Sequence, residues 1–148
     1  MLMDKVKILL VEDNEGDIVL TREALEECNI IGKIEIARDG VTAIKFFEDI
    51  LREEHSNLPD MVLLDINLPK KNGHEVLHFI KEHDLLRHIP VIMLTTSSSE
   101  KDIVESYKHY ANCYITKPVD LDNFIDVISQ IESYWFNIVQ LPFKKLKD

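Results

Sequence analysis

Short, nearly unbroken apolar runs recur along this chain, and each is followed by a longer stretch whose apolar residues fall on one helical face. Val6–Val11, Met61–Leu64 and Val91–Leu94 contain almost no polar residue. A strand reads this way when both its faces are buried, as in the middle of a parallel sheet covered by helices. Lys33–Ala37 and Cys113–Ile115 complete a set of strand candidates. Between them, Asn14-Glu15-Gly16-Asp17 caps a helix with Ile18, Leu20, Ala24 and Leu25 on its apolar face. Asp39-Gly40 precedes a helix carrying Ala43, Ile44, Phe47 and Leu51, and Gly73 opens one carrying Val76, Leu77 and Ile80. Ser97-Ser98-Ser99-Glu100 fits a capping box ahead of Ile103, Val104 and Tyr107. The last helix starts near Asp120 and presents Phe124, Ile128, Ile131 and Trp135.

This alternation predicts an α/β fold of βα units in parallel with right-handed crossovers. The 148 residues suit one domain, with no repeat, linker or low-complexity tract and a short tail over 137–148. A formal charge of −10 argues against nucleic acid and anionic membrane as partners. No apolar run approaches the roughly 18 residues of a membrane span, and the N-terminus lacks a signal-peptide core. A cytoplasmic protein is expected. The two cysteines, Cys28 and Cys113, have no metal-ligand spacing and read as buried thiols.

Open α/β sheets bind ligands beyond the carboxyl ends of their strands, so the residues there carry the functional reading. Glu12-Asp13 follows the first strand and Asp65 the third, with Asn67 two residues on. Thr95-Thr96 follows the fourth and Lys117-Pro118 the fifth. Any one of these alone reads as a turn or cap residue. Together they bring three carboxylates, a hydroxyl and an ammonium to one edge. Clustered carboxylates repel unless a cation joins them. Mg²⁺ suits an all-oxygen set of this kind. Phosphoryl transfer needs mainly positioning and charge neutralisation, and a carboxylate such as Asp65 can serve as its nucleophile.

At these residues the chain resembles the CheY-like receiver domains of two-component response regulators, over roughly residues 5–136. The match rests on Ile8-Leu9-Leu10-Val11-Glu12-Asp13, Met61-Val62-Leu63-Leu64-Asp65-Ile66-Asn67-Leu68-Pro69 with Gly73, Pro90-Val91-Ile92-Met93-Leu94-Thr95-Thr96, and Tyr114-Ile115-Thr116-Lys117-Pro118. The resemblance implies a CheY-like/flavodoxin-like (βα)5 fold with a parallel sheet ordered 2-1-3-4-5 and helices on both faces. It implies Asp65 as phosphoryl acceptor. Asp13 and Asp65 would ligate Mg²⁺, with Asn67 through its backbone carbonyl and Glu12 through a water. Thr95 and Lys117 would contact the phosphoryl group, Tyr114 would be the switch aromatic coupled to Thr95, and Pro118 would follow a cis peptide bond. Two departures stand out. Asn112 fills a place where the family often has Gly, which suggests a left-handed turn there. Thr96 stands where Ala is common, which bears on access to the phosphoryl group and its hydrolysis.

The helix start from Asn14, the segment Glu48–Asn57 and the ending Tyr134–Pro142 further resemble single-domain regulators paired with phytochrome-type histidine kinases. The expectation is therefore a receiver over 1–136 with no output domain, phosphorylated by a partner histidine kinase. It would signal by phosphorylation-dependent binding or by passing the phosphoryl group on. The apolar residues Trp135, Phe136, Ile138, Val139, Leu141 and Phe143 either fold back or form a homodimer seam with the last strand and helix. The six histidines read as surface residues, although His74 and His78 have the spacing of a helical metal pair. Three other readings stay open: a haloacid-dehalogenase-type phosphatase, a flavodoxin-like electron carrier and an unphosphorylated scaffold. The first wants an acid at 67, and the second a Ser/Thr/Gly-rich loop where Glu12-Asp13-Asn14-Glu15 stands.

Overall fold

The computed structural model describes residues 5–27, 31–53 and 57–137. Within them β1 (Val6–Val11), α1 (Glu15–Glu26), β2 (Ile31–Ala37), α2 (Gly40–Glu53), β3 (Met61–Leu64), α3 (Gly73–Glu82), β4 (Val91–Thr95), α4 (Glu100–Lys108), β5 (Cys113–Thr116) and α5 (Leu121–Asn137) follow in strict alternation. Every strand pair is parallel, and the sheet order is β2-β1-β3-β4-β5, as the resemblance implied.

The unbroken apolar runs occupy the centre, and the period of two in a strand splits each between two cores. Val6, Ile8, Leu10, Met61, Leu63, Ile92 and Leu94 pack against Ile18 and Leu25 of α1 and Phe124, Ile128 and Ile131 of α5. Leu9, Val11, Val62, Leu64, Val91 and Met93 pack on the other face, under Ala43 and Phe47 of α2 and Val76, Leu77 and Ile80 of α3. β2 and β5 are the edges. β2 begins at Ile31, earlier than predicted, because Ile31 pairs with Val6.

Helix starts follow the sequence with two changes. Asn14 caps α1 by accepting the Asp17 amide. The true capping box belongs to α3, where Asn72 and Glu75 bond each other's backbone. For α4 the cap is Ser99, accepting from Asp102, and not Ser97 paired with Glu100. The apolar face expected for α4 also fails, since Val104 and Tyr107 are exposed and only Ser106 of this helix is buried. Ser106 turns its hydroxyl back to the Asp102 carbonyl, a bond open to a serine one turn on.

The left-handed turn before β5 falls on Tyr110, not Asn112. α4 ends with the Ala111 amide on the Ser106 carbonyl and the Tyr110 amide on the Tyr107 carbonyl. This double bond pattern puts the residue after the cap in the left-handed region, and Tyr110 has φ 69°. Asn112 is used for its amide oxygen instead, which accepts from the Val91 N–H at 2.8 Å and from Lys81 Nζ at 3.3 Å.

Two glycines hold the β3–α3 loop. A Cβ on Gly73 would stand 2.1 Å from the Asp65 carbonyl oxygen, and one on Gly40 would stand 1.9 Å from that of Lys71. Only a residue without a side chain lets α2 and α3 approach the loop this closely. Among the described residues no helix is long and apolar enough to cross a membrane. Cys28, His55 and the apolar tail residues from Ile138 onward lie outside the described residues.

Candidate functional site

The carboxyl ends of β1, β3, β4 and β5 deliver five side chains to one place. Glu12 continues β1, its amide bonded to the Ala37 carbonyl, and its carboxylate also accepts the Asn14 amide at 3.2 Å. Asp65 continues β3, its amide bonded to the Val11 carbonyl at 3.0 Å. The Oδ1 atom of Asp65 receives the amides of Ile66 at 2.7 Å and Asn67 at 3.4 Å, while Oδ2 faces Lys117 Nζ at 3.7 Å. Backbone donors thus fix the carboxylate plane and leave one oxygen turned to the ammonium.

Thr95 ends β4 and is fully buried. Its carbonyl accepts the Lys117 amide, which places Lys117 across the site from Asp65. Lys117 bonds the Glu12 carboxylate and lies 2.8 Å from Asp17 Oδ2. Burial opposes its ammonium, but the bonds to Asp17 and Glu12 and the charge of Asp65 outweigh that and raise its pKa. Burial also pushes Glu12 up to about 7; the Lys117 bond opposes this and the Asp65 charge adds to it.

Carboxylate oxygens of Glu12, Asp13 and Asp65 lie within 4.8 Å of one another, and Asp13 is open to solvent. This all-oxygen set, with an exposed flank and an excess of negative charge, fits a hard divalent cation. His74 and His78 gather no comparable group among the described residues. His74 is not a surface residue: its side chain is 11% exposed and Nε2 lies 3.1 Å from Asp102. Cys113 is half-buried, and burial pushes its thiol up, so it stays protonated.

Thr95 and Tyr114, the pair expected to act as a switch, meet at Ser97. The Ser97 amide donates to Thr95 Oγ1 at 3.3 Å, and its carbonyl accepts the Tyr114 hydroxyl at 2.9 Å. Its own hydroxyl donates to Asp102 at 2.6 Å. Asn67 is exposed and touches Asp65 through its backbone, and Thr96 is exposed beside Thr95. The peptide bond before Pro118 is trans, contrary to expectation. For a bond to proline the trans form is favoured by only about 0.5–1 kcal/mol, so the surroundings decide.

Asp17 and Ser97 escaped the sequence reading as site residues. Asp17 was assigned to the helix cap. Its place in the first turn of α1, just past the β1 edge, was the signal that could have found it.

The profile of the response regulator receiver domain matches residues 8–129. Response regulator Rcp1 of Synechocystis sp. is 44% identical over 135 residues, 91% of this chain and 92% of that protein. A probable methanogenesis regulatory protein, FilR2 of Methanothrix harundinacea, is 42% identical over 94% of this chain and 89% of its own length. Among solved structures, the Mn²⁺-bound form of Rcp1 superposes with a TM-score of 0.87, covering 93% of this chain and 99% of that one at 43% identity. The phosphorylated cyanobacterial phytochrome response regulator RcpA gives 0.86 at 42% identity, with the same coverage.

Proposed function

Because the chain belongs to the response regulator receiver domain family, we propose that Asp65 is its phosphoryl acceptor and that a phosphohistidine on a sensor kinase is the donor. The observation that carries this is Asp65 Oδ2 facing a buried ammonium, with Glu12 and Asp13 grouped about it and Thr95 bonded to the Lys117 backbone. A carboxylate oxygen of Asp65 attacks phosphorus, the P–N bond breaks, and the imidazole leaves and takes up a proton. Lys117 and Thr95 receive the phosphoryl oxygens. Asp13, Asp65, the Asn67 carbonyl and, through water, Glu12 would hold Mg²⁺. When bound, the ion neutralises the charge that builds up on the phosphoryl oxygens. The site supports transfer to the chain itself and slow hydrolysis, not turnover of free substrates.

Readout passes through Ser97. Movement of Thr95 towards the phosphoryl group removes its bond from the Ser97 amide, which loosens the carbonyl that holds Tyr114. The α4–β5–α5 face then changes. A phytochrome-type kinase as donor is supported by the likeness to RcpA. Homodimer formation through β5, α5 and the tail is supported by the open edge of β5 and by Ile125 and Tyr134 exposed on α5. A cytoplasmic location, with the receiver over 1–136 and 137–148 as a tail, completes the reading. Incubation with acetyl phosphate and Mg²⁺ should label the protein at Asp65, and Asp65→Asn should abolish the label. Labelling that survives this substitution refutes the assignment.

A further inference from the structure

Lys117 lies closer to Asp17 than to the residue it is meant to serve. Its Nζ is 2.8 Å from Asp17 Oδ2 and 3.7 Å from Asp65 Oδ2. The first is a hydrogen-bonded ion pair and the second is not. The Lys117 side chain is only 4% exposed, so water contributes little to holding it.

Asp17 is itself fixed. It is the third residue of α1, and its amide is bonded to Asn14 Oδ1 at 2.9 Å. The first turn of a helix also favours a negative charge. Asp17 stands outside the group formed by Glu12, Asp13 and Asp65. Filling that group with a cation would relieve the charge on Glu12 but leave the pull of Asp17 on Lys117 in place.

We propose that Asp17 is a positioning residue that restrains the Lys117 ammonium on the α1 side of the site until a phosphoryl group competes for it. The inference rests on Asp65 being the phosphoryl acceptor. Asp17 acts against transfer in two ways. It occupies a donor hydrogen that the phosphoryl oxygens need, and its charge opposes theirs. The intact site is thereby damped towards small phosphodonors.

Asp17→Asn is the informative variant, because the bond to Asn14 is made by the backbone amide and survives the change. With acetyl phosphate and Mg²⁺, followed by intact-mass spectrometry, the maximal labelling rate should rise about threefold or more, the worth of a partly buried ion pair. The Mg²⁺ concentration for half-maximal rate should not move. Asp17→Glu, which restores the charge, should return the rate towards wild type. An Asp17→Asn rate equal to or below wild type overturns the proposal, as does a rise explained by a shifted Mg²⁺ dependence. NMR of the metal-free protein supplies an arm that needs no phosphoryl transfer. The Lys117 ammonium hydrogens should exchange slowly in wild type and faster in Asp17→Asn; unchanged exchange overturns the proposal. If wild type is not labelled at all, the acceptor reading falls, and the ammonium exchange alone tells whether Asp17 holds Lys117.

Discussion

Two lysines are buried at opposite edges of the same sheet, Lys117 at the carboxyl ends of the strands and Lys81 at the amino ends. Their exposures are nearly equal, 6% and 8%. Their surroundings are not. Lys117 is bonded to two carboxylates and faces a third. Lys81 donates to the carbonyls of Arg87 at 2.9 Å and Ile89 at 2.8 Å and to Asn112 Oδ1 at 3.3 Å. Three neutral acceptors match the three donors of an ammonium, but they supply no counter-charge, and burial pushes Lys81 down to about 8. The lesson is that burial alone does not mark a functional lysine. Neutral partners make Lys81 a clasp joining the end of α3, the approach to β4 and the approach to β5. Charged partners leave Lys117 a cation held by carboxylates, and in the proposed mechanism it can change hands.

The contrast breaks first at Lys117. Lys117→Ala should lower labelling by acetyl phosphate about 100-fold, the usual cost of removing a preorganised donor. A Lys117→Ala protein labelled like wild type would make Lys117 a second clasp. Lys81→Met should do the reverse. It keeps the volume but leaves carbonyl acceptors buried without a donor, so urea denaturation should show a loss of about 2 kcal/mol, with labelling unchanged. Asn112→Ala removes the acceptor of both Lys81 and the Val91 amide. It should cost about 1 kcal/mol by the same measurement, again without effect on labelling.

The smallest effect is in pH. The folded chain sheds the Lys81 proton from about pH 8, whereas the unfolded chain keeps it to the ordinary lysine value of 10.5. In that window the unfolded state binds more protons, so stability rises with pH. The stability of wild type relative to Lys81→Met should grow by about 0.7 kcal/mol between pH of about 7.5 and about 8.5. A difference that stays flat instead would mean that the three acceptors hold the ammonium at least as firmly as burial opposes it.

The sheet was legible because β1, β3 and β4 are buried on both faces and show it as unbroken apolar runs. Once the strand ends were placed, Glu12, Asp13, Asp65, Thr95 and Lys117 followed, since the residue after a buried parallel strand emerges at the ligand-binding edge. What stayed hidden depends on direction and not on position. Asp17 was visible as a first-turn acid, but not as a carboxylate turned back over β1. Asn112 was visible as a turn residue, but its amide is spent on Lys81 and Val91 while Tyr110 makes the turn. The apolar spacing of α4 suggested a buried face, yet the buried residue is Ser106. The isomer before Pro118 depends on a small energy difference that no local pattern encodes.

Gly40 and Gly73 carry no functional group, yet they press on the loop of Asp65 from either side. A methyl at Gly73 would meet the carbonyl of the Asp65 peptide itself. In a survey of every single substitution, these two positions should therefore tolerate as little as the acidic residues do. Exposed Lys71, in the same loop, should vary far more freely. An inherited defect in signalling could then map to a residue that touches neither phosphoryl group nor partner, its only fault being the space it fills.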